Sequence, residues 1–166
     1  MHTVIRLISQ TKLPFLLFGI LTINLGVKNL PAKKPGSITL LGQLSLPDSI
    51  AAQDLWGYFE PSTGEEYAVV GYVSKRNFPE GGFVLVKVTD PSNPVQVAQV
   101  HSGSGFDVKV WQSYVYTVNG KETGTGTIVD ISDIESPRIV GSFPSAHNIF
   151  IAENGYMYLE RPGLRI

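Results

Sequence analysis

No cysteine occurs in the 166 residues. That excludes a disulfide framework, a thiolate metal site, a cysteine nucleophile and a lipoprotein anchor, each of which needs sulfur at a defined place. Charge is scarce as well: Asp, Glu, Lys and Arg make up 16% of the chain against 43% hydrophobic residues, a balance that can bury a core and speaks against intrinsic disorder. The only histidines are His2, His101 and His147. They form no HxH or HExxH pair, so spacing points to no metal centre, and nothing points to a cofactor. No helical apolar stripe of useful length appears beyond the N-terminal segment. What is abundant is Gly (17), Pro (11) and short runs of Val, Ile, Tyr and Thr in a chain long enough for one small domain at most.

The formal net charge of −1 averages two unlike pieces. Residues 1–36 hold Arg6, Lys12, Lys28, Lys33 and Lys34 and no acid, which leaves residues 37–166 at −6. Within the basic piece, Leu13 to Val27 is an uncharged apolar run of 15 residues preceded by Arg6 and Lys12, the layout of a secretory signal. The run is shorter than the ~20 residues that cross a hydrocarbon core, and Pro14 and Asn24 weaken it further as a spanning helix. Residues 1–32 are therefore expected to be a signal peptide, or an uncleaved N-terminal anchor, and residues 33–166 the domain. An acidic chain beyond the signal has no excess positive charge for phosphates, which disfavours nucleic-acid binding.

From Ser37 onward, alternating β-type runs are broken by Gly, Pro, Asn and Asp. Self-comparison reveals a repeat: Val86–Pro94 (VKVTDPSNP) returns 43 positions later as Val129–Pro137 (VDISDIESP), and the same offset relates Ala98 to Gly141 and Val100 to Phe143. Asp107–Val110 parallels Asn148–Ile151, and Tyr114–Tyr116 parallels Tyr156–Tyr158. An earlier copy opens at Asp54-Leu55-Trp56-Gly57 and continues at Tyr67–Val70, with the hairpin between them lengthened by Glu60–Glu66. Each unit reads as four strands, and a four-stranded all-β unit of this length fits a propeller blade, typically about 40–45 residues. In the turn after the third strand, Asp90 is placed to accept hydrogen bonds from following amides, with Pro91 fixing φ. One carboxylate there is too few for calcium.

The count of strands predicts an incomplete ring. Ile38–Leu46 resembles only the last strand of a unit, with Gly42 matching Ala98 and Leu44 matching Val100. Two full units follow from about Gln53 and about Phe106, and a third begins at His147 and reaches the start of its third strand at Gly163–Ile166. The expected fold is all-β, with about two full propeller-type blades plus partial ones, in a truncated chain or one piece of a split ring. If the chain is complete, open strand edges of that kind predict self-association.

The blocks GTIVDISDIESPRIVGSF (126–143) and VLVKVTDPSNPVQVAQV (84–100) resemble LVIVD repeats. Together with DLWGYFEPSTGEEYAVVGY (54–72) and HNIFIAENGYMYL (147–159), their order is similar to the N-terminal part of the choice-of-anchor B proteins, across nearly all of residues 37–166. The resemblance implies an exported, surface-attached β-propeller with no established catalytic activity. Family members are longer and commonly end in a sorting or anchoring tail.

Candidate site residues follow from the repeat. Gln53-Asp54, Phe106-Asp107 and His147-Asn148 occupy equivalent starts of the first strand of each unit, near what would be the channel mouth. Asp54, Asp107, His147 and Asn148 are thus the candidate ligand-binding polar groups, with Trp56 the candidate stacking surface. The plainer reading makes Asp54, Asp107 and Asn148 turn-forming residues bonded to local backbone. Ser102–Gly105 near His101 lacks the strand-to-helix context of a nucleophile elbow and reads as a flexible loop. Gly120–Gly126 lacks the ending of a phosphate-binding loop.

The expected function is a non-catalytic exported or cell-surface module that binds a protein or glycan. The alternatives are a hydrolase or lyase acting on an extracellular polymer at the channel mouth, for which no acid/base pair is visible, and a non-functional gene fragment. Fused ahead of a reporter enzyme active only outside the cytoplasm, residues 1–36 are expected to confer reporter activity, and Arg6→Glu with Lys12→Glu to reduce it. A cytoplasmic reporter would overturn the export reading.

Overall fold

The structure is a computed structural model that describes residues 38–166. The targeting segment expected over residues 1–32 lies outside the described residues. Among those residues there is no helix, and the strands form three antiparallel sheets. The first contains β1 (Ile50–Glu60), β2 (Glu65–Ser74), β3 (Gly81–Lys87) and β4 (Val95–Val100). The second contains β5 (Asp107–Trp111), β6 (Tyr114–Val118), β7 (Thr125–Asp130) and β8 (Arg138–Pro144). The third contains β9 (Asn148–Ile151), β10 (Met157–Glu160) and β11 (Leu164–Arg165). In each sheet the strands pair in sequence order, as meanders joined by short turns.

The repeat extends to backbone irregularities. The β3–β4 ladder shifts register between Leu85 and Val86, and the β7–β8 ladder shifts at Ile128 and Val129, 43 positions later. The turns preceding β4 and β8 match too: Asp90 Oδ1 accepts from the Ser92 amide at 3.0 Å, and Asp133 Oδ1 from the Glu135 amide at 3.1 Å. These are the side-chain-to-backbone bonds that Asp makes in tight turns. The first hairpin is the lengthened one, and the added residues extend its ladder as well as its turn. Pairing continues to Glu60↔Glu65, so only Pro61–Gly64 turn, with Gly64 at φ +74°. Glu60 holds this turn by accepting from the amides of Ser62 and Thr63 at 3.0 and 2.8 Å. Polar Glu, Ser and Thr residues thus cap a longer ribbon.

The sheets pack face to face in chain order. Val69, Phe83 and Leu85 of the first sheet meet Val108, Val115 and Val129 of the second, all fully buried. On the other face of the second sheet, Val118, Tyr116 and Phe143 pack with Ile149, Leu159 and Met157 of the third. The opposite face of the first sheet buries Tyr72, Val84 and Val86. Period-2 alternation thus gives β3 two apolar faces, and all of Gly81–Val86 is buried.

Ser102–Gly105, read from sequence as a flexible loop, is instead an inward connector between the first two sheets. Ser102 and Ser104 are buried, and Ser102 Oγ donates to Ser104 O at 2.9 Å and lies 3.1 Å from Thr117 Oγ1. Its carbonyl accepts from Thr127 Oγ1 at 2.6 Å. The next connector repeats this: the carbonyl of buried Ser145 accepts from Arg165 Nη2 at 2.6 Å. Gly105 lies directly on the first sheet, where a Cβ would meet Tyr72 N and Gly82 C at 2.7 Å. Small residues were needed for backbone to approach backbone, and in sequence the same composition signals mobility.

Ile38–Leu46, expected to be a last strand, has no ladder among the described residues. Its Leu44 and Leu46 nevertheless pack on the Tyr72, Val84 and Val86 face of the first sheet.

Gly105→Ala is expected to cost about 2–4 kcal/mol, because both close neighbours are backbone and neither can yield cheaply. Gly57→Ala, where a Cβ would meet nothing within 4 Å, is expected to change stability by less than about 0.5 kcal/mol. Urea unfolding of the two variants beside the parent chain checks both.

Candidate functional site

The first strand of each sheet carries the candidate residues. β5 and β9 begin at Asp107 and Asn148, whereas β1 begins earlier and reaches the equivalent Asp54 after a register shift between Ala52 and Asp54. The shift leaves Gln53 out of the ladder, where its amide donates to Ala52 O at 3.1 Å. Asp54 then pairs with Gly71, Asp107 with Val118 and Asn148 with Glu160, one position in three sheets.

Both aspartates reach forward to the next sheet. Asp54 Oδ2 accepts from the Val108 amide at 3.1 Å, and Asp107 Oδ2 from the Ile149 amide at 2.7 Å. Asx bonding to local backbone was the plainer expectation, and these two bonds instead reach backbone distant in sequence. A hydrogen bond from an amide to a carboxylate is among the stronger kind, and it orients one first strand against its neighbour.

Lys109 completes the cluster. Its ammonium donates to Asp54 Oδ2 and Val108 O at 2.8 and 2.9 Å, bonds Asp107 Oδ1, and stands 4.9 Å from the centre of the Trp56 ring. The Lys109 side chain is only 13% exposed and that of Asp107 3%, so little solvent screens the group. Burial, followed by the neighbouring Asp54 carboxylate, pushes the Asp107 carboxyl up to about 6, against the pull of Lys109 and the Ile149 amide. For Asp54, burial is outweighed by hydrogen bonds with Asp107, Lys109 and the amides of Val108 and Leu55, which hold it below the usual carboxylate range. Of the two carboxyls, Asp107 is thus the one shifted towards the protonated form.

His147 and Asn148 stand apart from Lys109. His147 Nδ1 hydrogen-bonds Asn148 Oδ1, lies 3.9 Å from Glu160 Oε2, and its ring meets Phe106 edge-on at 5.1 Å. Asn148 is exposed and shares an open groove of 220 Å³ with Phe150, Tyr158 and Leu164. The structure thus gathers Asp54, Trp56 and Asp107 around one lysine and joins His147 to Asn148. Among the described residues no three His, Asp or Glu side chains are grouped to hold a metal ion.

Sequence reasoning missed two features. Lys109 is the single charge between Val108 and Val110, at the position filled by Trp56 and Phe150 in the other units; that charge among apolar residues was the available signal. A groove of 550 Å³ also opens beyond the cluster, lined by Tyr58, Phe59 and Pro61 of the first hairpin and by Val110, Gln112 and Ser113. It depends on how the two sheets pack, which no local pattern encodes. No protein-family model, curated protein or solved structure matches the chain.

Asp54→Ala is expected to destabilise the chain by about 2–4 kcal/mol, since it orphans the Val108 amide and half of the pairing of Lys109. For Asp107 the folded carboxyl lies above its unfolded value of 3.8, so the native state binds the proton more tightly. Its contribution to stability is complete below about pH 4 and is lost as pH rises towards 6 or 7. Asp54 acts oppositely, its stabilisation being lost only as pH falls below the ordinary carboxylate range. Relative to Asp107→Asn, the parent chain is therefore expected to lose on the order of 1–3 kcal/mol between pH 4 and pH 7 in urea titrations. A parent-minus-variant difference independent of pH would show that Asp107 does not carry the proton.

Proposed function

We propose that this chain is an exported LVIVD-repeat module of the choice-of-anchor B kind, whose sheets are propeller blades and whose first strands form a non-catalytic binding surface for a glycan or protein outside the cytoplasm. Support for the blade reading comes from the stacking of two four-stranded meanders and a three-stranded one, with the first strand of one sheet tied to the first strand of the next. The blocks quoted above carry the family reading.

One observation favours binding over turnover. Of the carboxylates a hydrolase would draw on, Asp107 spends both oxygens on Lys109 and the Ile149 amide, and Asp54 spends Oδ2 on the Val108 amide and Lys109. What the first strands present outward is aromatic: Trp56 remains 37% exposed and Phe150 56%. An exposed ring offers a sugar an apolar face to stack on, and offers a protein a large contact area at little entropic cost.

Native gel electrophoresis through soluble extracellular polysaccharides, with a parallel assay for released reducing ends, tests the reading. Retardation without release is expected, and Trp56→Ala is expected to weaken it roughly tenfold while leaving the fold intact. Release of reducing ends that persists through purification would overturn the non-catalytic reading. Absence of retardation on every polysaccharide would exclude glycans and leave protein as the ligand.

A further inference from the structure

Because each sheet is an antiparallel meander, its connections divide between two ends. The turns β1–β2, β3–β4, β5–β6, β7–β8 and β9–β10 lie at one end, and the connections that follow the even-numbered strands lie at the other. Contacts between sheets show that these turns share one rim. Pro61 of the β1–β2 turn lines a groove with Gln112 and Ser113 of the β5–β6 turn, and Thr63 lines a second groove with Ser132–Glu135 of the β7–β8 turn. A Cβ on Gly155 of the β9–β10 turn would stand 2.9 Å from Trp111 Cζ2, at the end of β5.

Charge is divided unequally between the two ends. The rim carries Glu60, Glu65, Glu66 and Asp90 on the first sheet, Asp130, Asp133 and Glu135 on the second, and Glu153 on the third. Among the described residues Lys87 and Arg138 alone oppose them there. Both are already engaged, Lys87 with Glu65 at 2.7 Å and Arg138 with Asp130 at 3.3 Å. The opposite end balances Lys75, Arg76, Lys121, Arg161 and Arg165 against Asp48, Glu80, Glu122 and Glu160. The net −6 of residues 37–166 thus resides at the rim. Hydrogen bonds from Thr63 and Ser62 bring the Glu60 carboxyl down to about 2, and bonds from Ser92 and Ser132 lower Asp90 and Asp130, so this charge persists in mild acid. Like charges gathered on one rim repel one another, and a docked cation relieves that repulsion.

The same rim holds the 550 Å³ groove between Tyr58, Phe59 and Pro61 of the first hairpin and Val110 of β5. Phe59 is 58% exposed. The hairpin tip separates this groove from the second, of 390 Å³, where Tyr67, Val97 and Ile134 are bordered by Glu60, Asp133 and Glu135. Both grooves lie between the first and second sheets, with described residues on either side. Apolar floors edged by carboxylates suit an occupant with cationic and large apolar side chains together. Anionic polymers and anionic membranes are repelled, a neutral glycan gains nothing from the carboxylates, and a small cation leaves the apolar floor uncovered. We propose that the rim docks a basic segment of another protein, with Lys or Arg against Glu66, Asp133 and Glu135 and an aromatic or aliphatic side chain in the groove beside Phe59. This surface goes beyond the first-strand surface proposed above, whose Trp56 lines neither groove.

Fluorescence anisotropy with the full chain tests the proposal, using three labelled peptides of about ten residues that alternate Lys with Tyr, Lys with Gly, or Glu with Tyr. The Lys–Tyr peptide is expected to bind roughly tenfold more tightly than either of the others, and to weaken several-fold as NaCl rises from about 0.05 to about 0.3 M. Phe59→Ser, and separately Glu66→Lys with Glu135→Lys, are each expected to weaken it roughly tenfold. These three side chains are exposed, so the fold tolerates the changes, and urea unfolding of each variant checks that it does. Glu80→Lys with Glu122→Lys makes the same change of net charge at the opposite end and is expected to leave binding within about twofold of the parent. No binding of the Lys–Tyr peptide, binding of either other peptide as tightly, or an equal loss from Glu80→Lys with Glu122→Lys would overturn the proposal.

Discussion

Apolar faces hold sheets together without saying how far one has slid along the other. Val69, Phe83 and Leu85 would bury similar area against Val108, Val115 and Val129 over a range of offsets, because hydrophobic attraction is not directional. The bond from the Val108 amide to Asp54, and its successor from the Ile149 amide to Asp107, remove that freedom. Each spans 42 or more residues and ties the start of one first strand to the start of the next. The connectors, the aromatic positions and the groove along the first hairpin all take their places from this tie.

The tie brings an electrostatic burden that the rest of the cluster relieves. A nearly dry carboxylate at Asp107 is unfavourable beside a second carboxylate at Asp54. Lys109 neutralises part of that charge while its ammonium stands over the Trp56 ring, so a lysine between two valines serves two sheets at once. The residues that look most reactive in the sequence are thus the ones most committed to architecture. The aromatic side chains beside them keep their exposure.

The four-stranded unit was legible because a period of 43 residues carries its turns, bulges and strand alternation together. Asp90 and Asp133 behave as their local sequence demands, since an Asx turn is settled within a few residues. Reading failed where the outcome depends on something far away. The lengthening over Glu60–Glu66 was visible, but nothing local shows that Tyr58 and Tyr67 pair and carry the ladder on to Glu60 and Glu65. Ser102–Gly105 looked mobile because glycine for close approach and glycine for flexibility are the same letter. For the site, repeat equivalence found Asp54, Asp107 and Asn148, but the partners of the aspartates and the role of Lys109 lie in the stacking of sheets.

The stacking order also sets where the molecule opens first. β3 is buried on both faces, whereas among the described residues the third sheet packs on the second alone and its strands are four residues or shorter. Opening follows local burial, so thinly buried strands fray before strands buried on both faces. Amide protons of Phe83–Val86 therefore report the global unfolding of the stack, while those of Phe150 and Tyr158 exchange through a smaller, local opening. A gradient of protection runs along the chain, and the aromatic surface crosses it from the steadiest sheet at Trp56 to the least steady at Phe150.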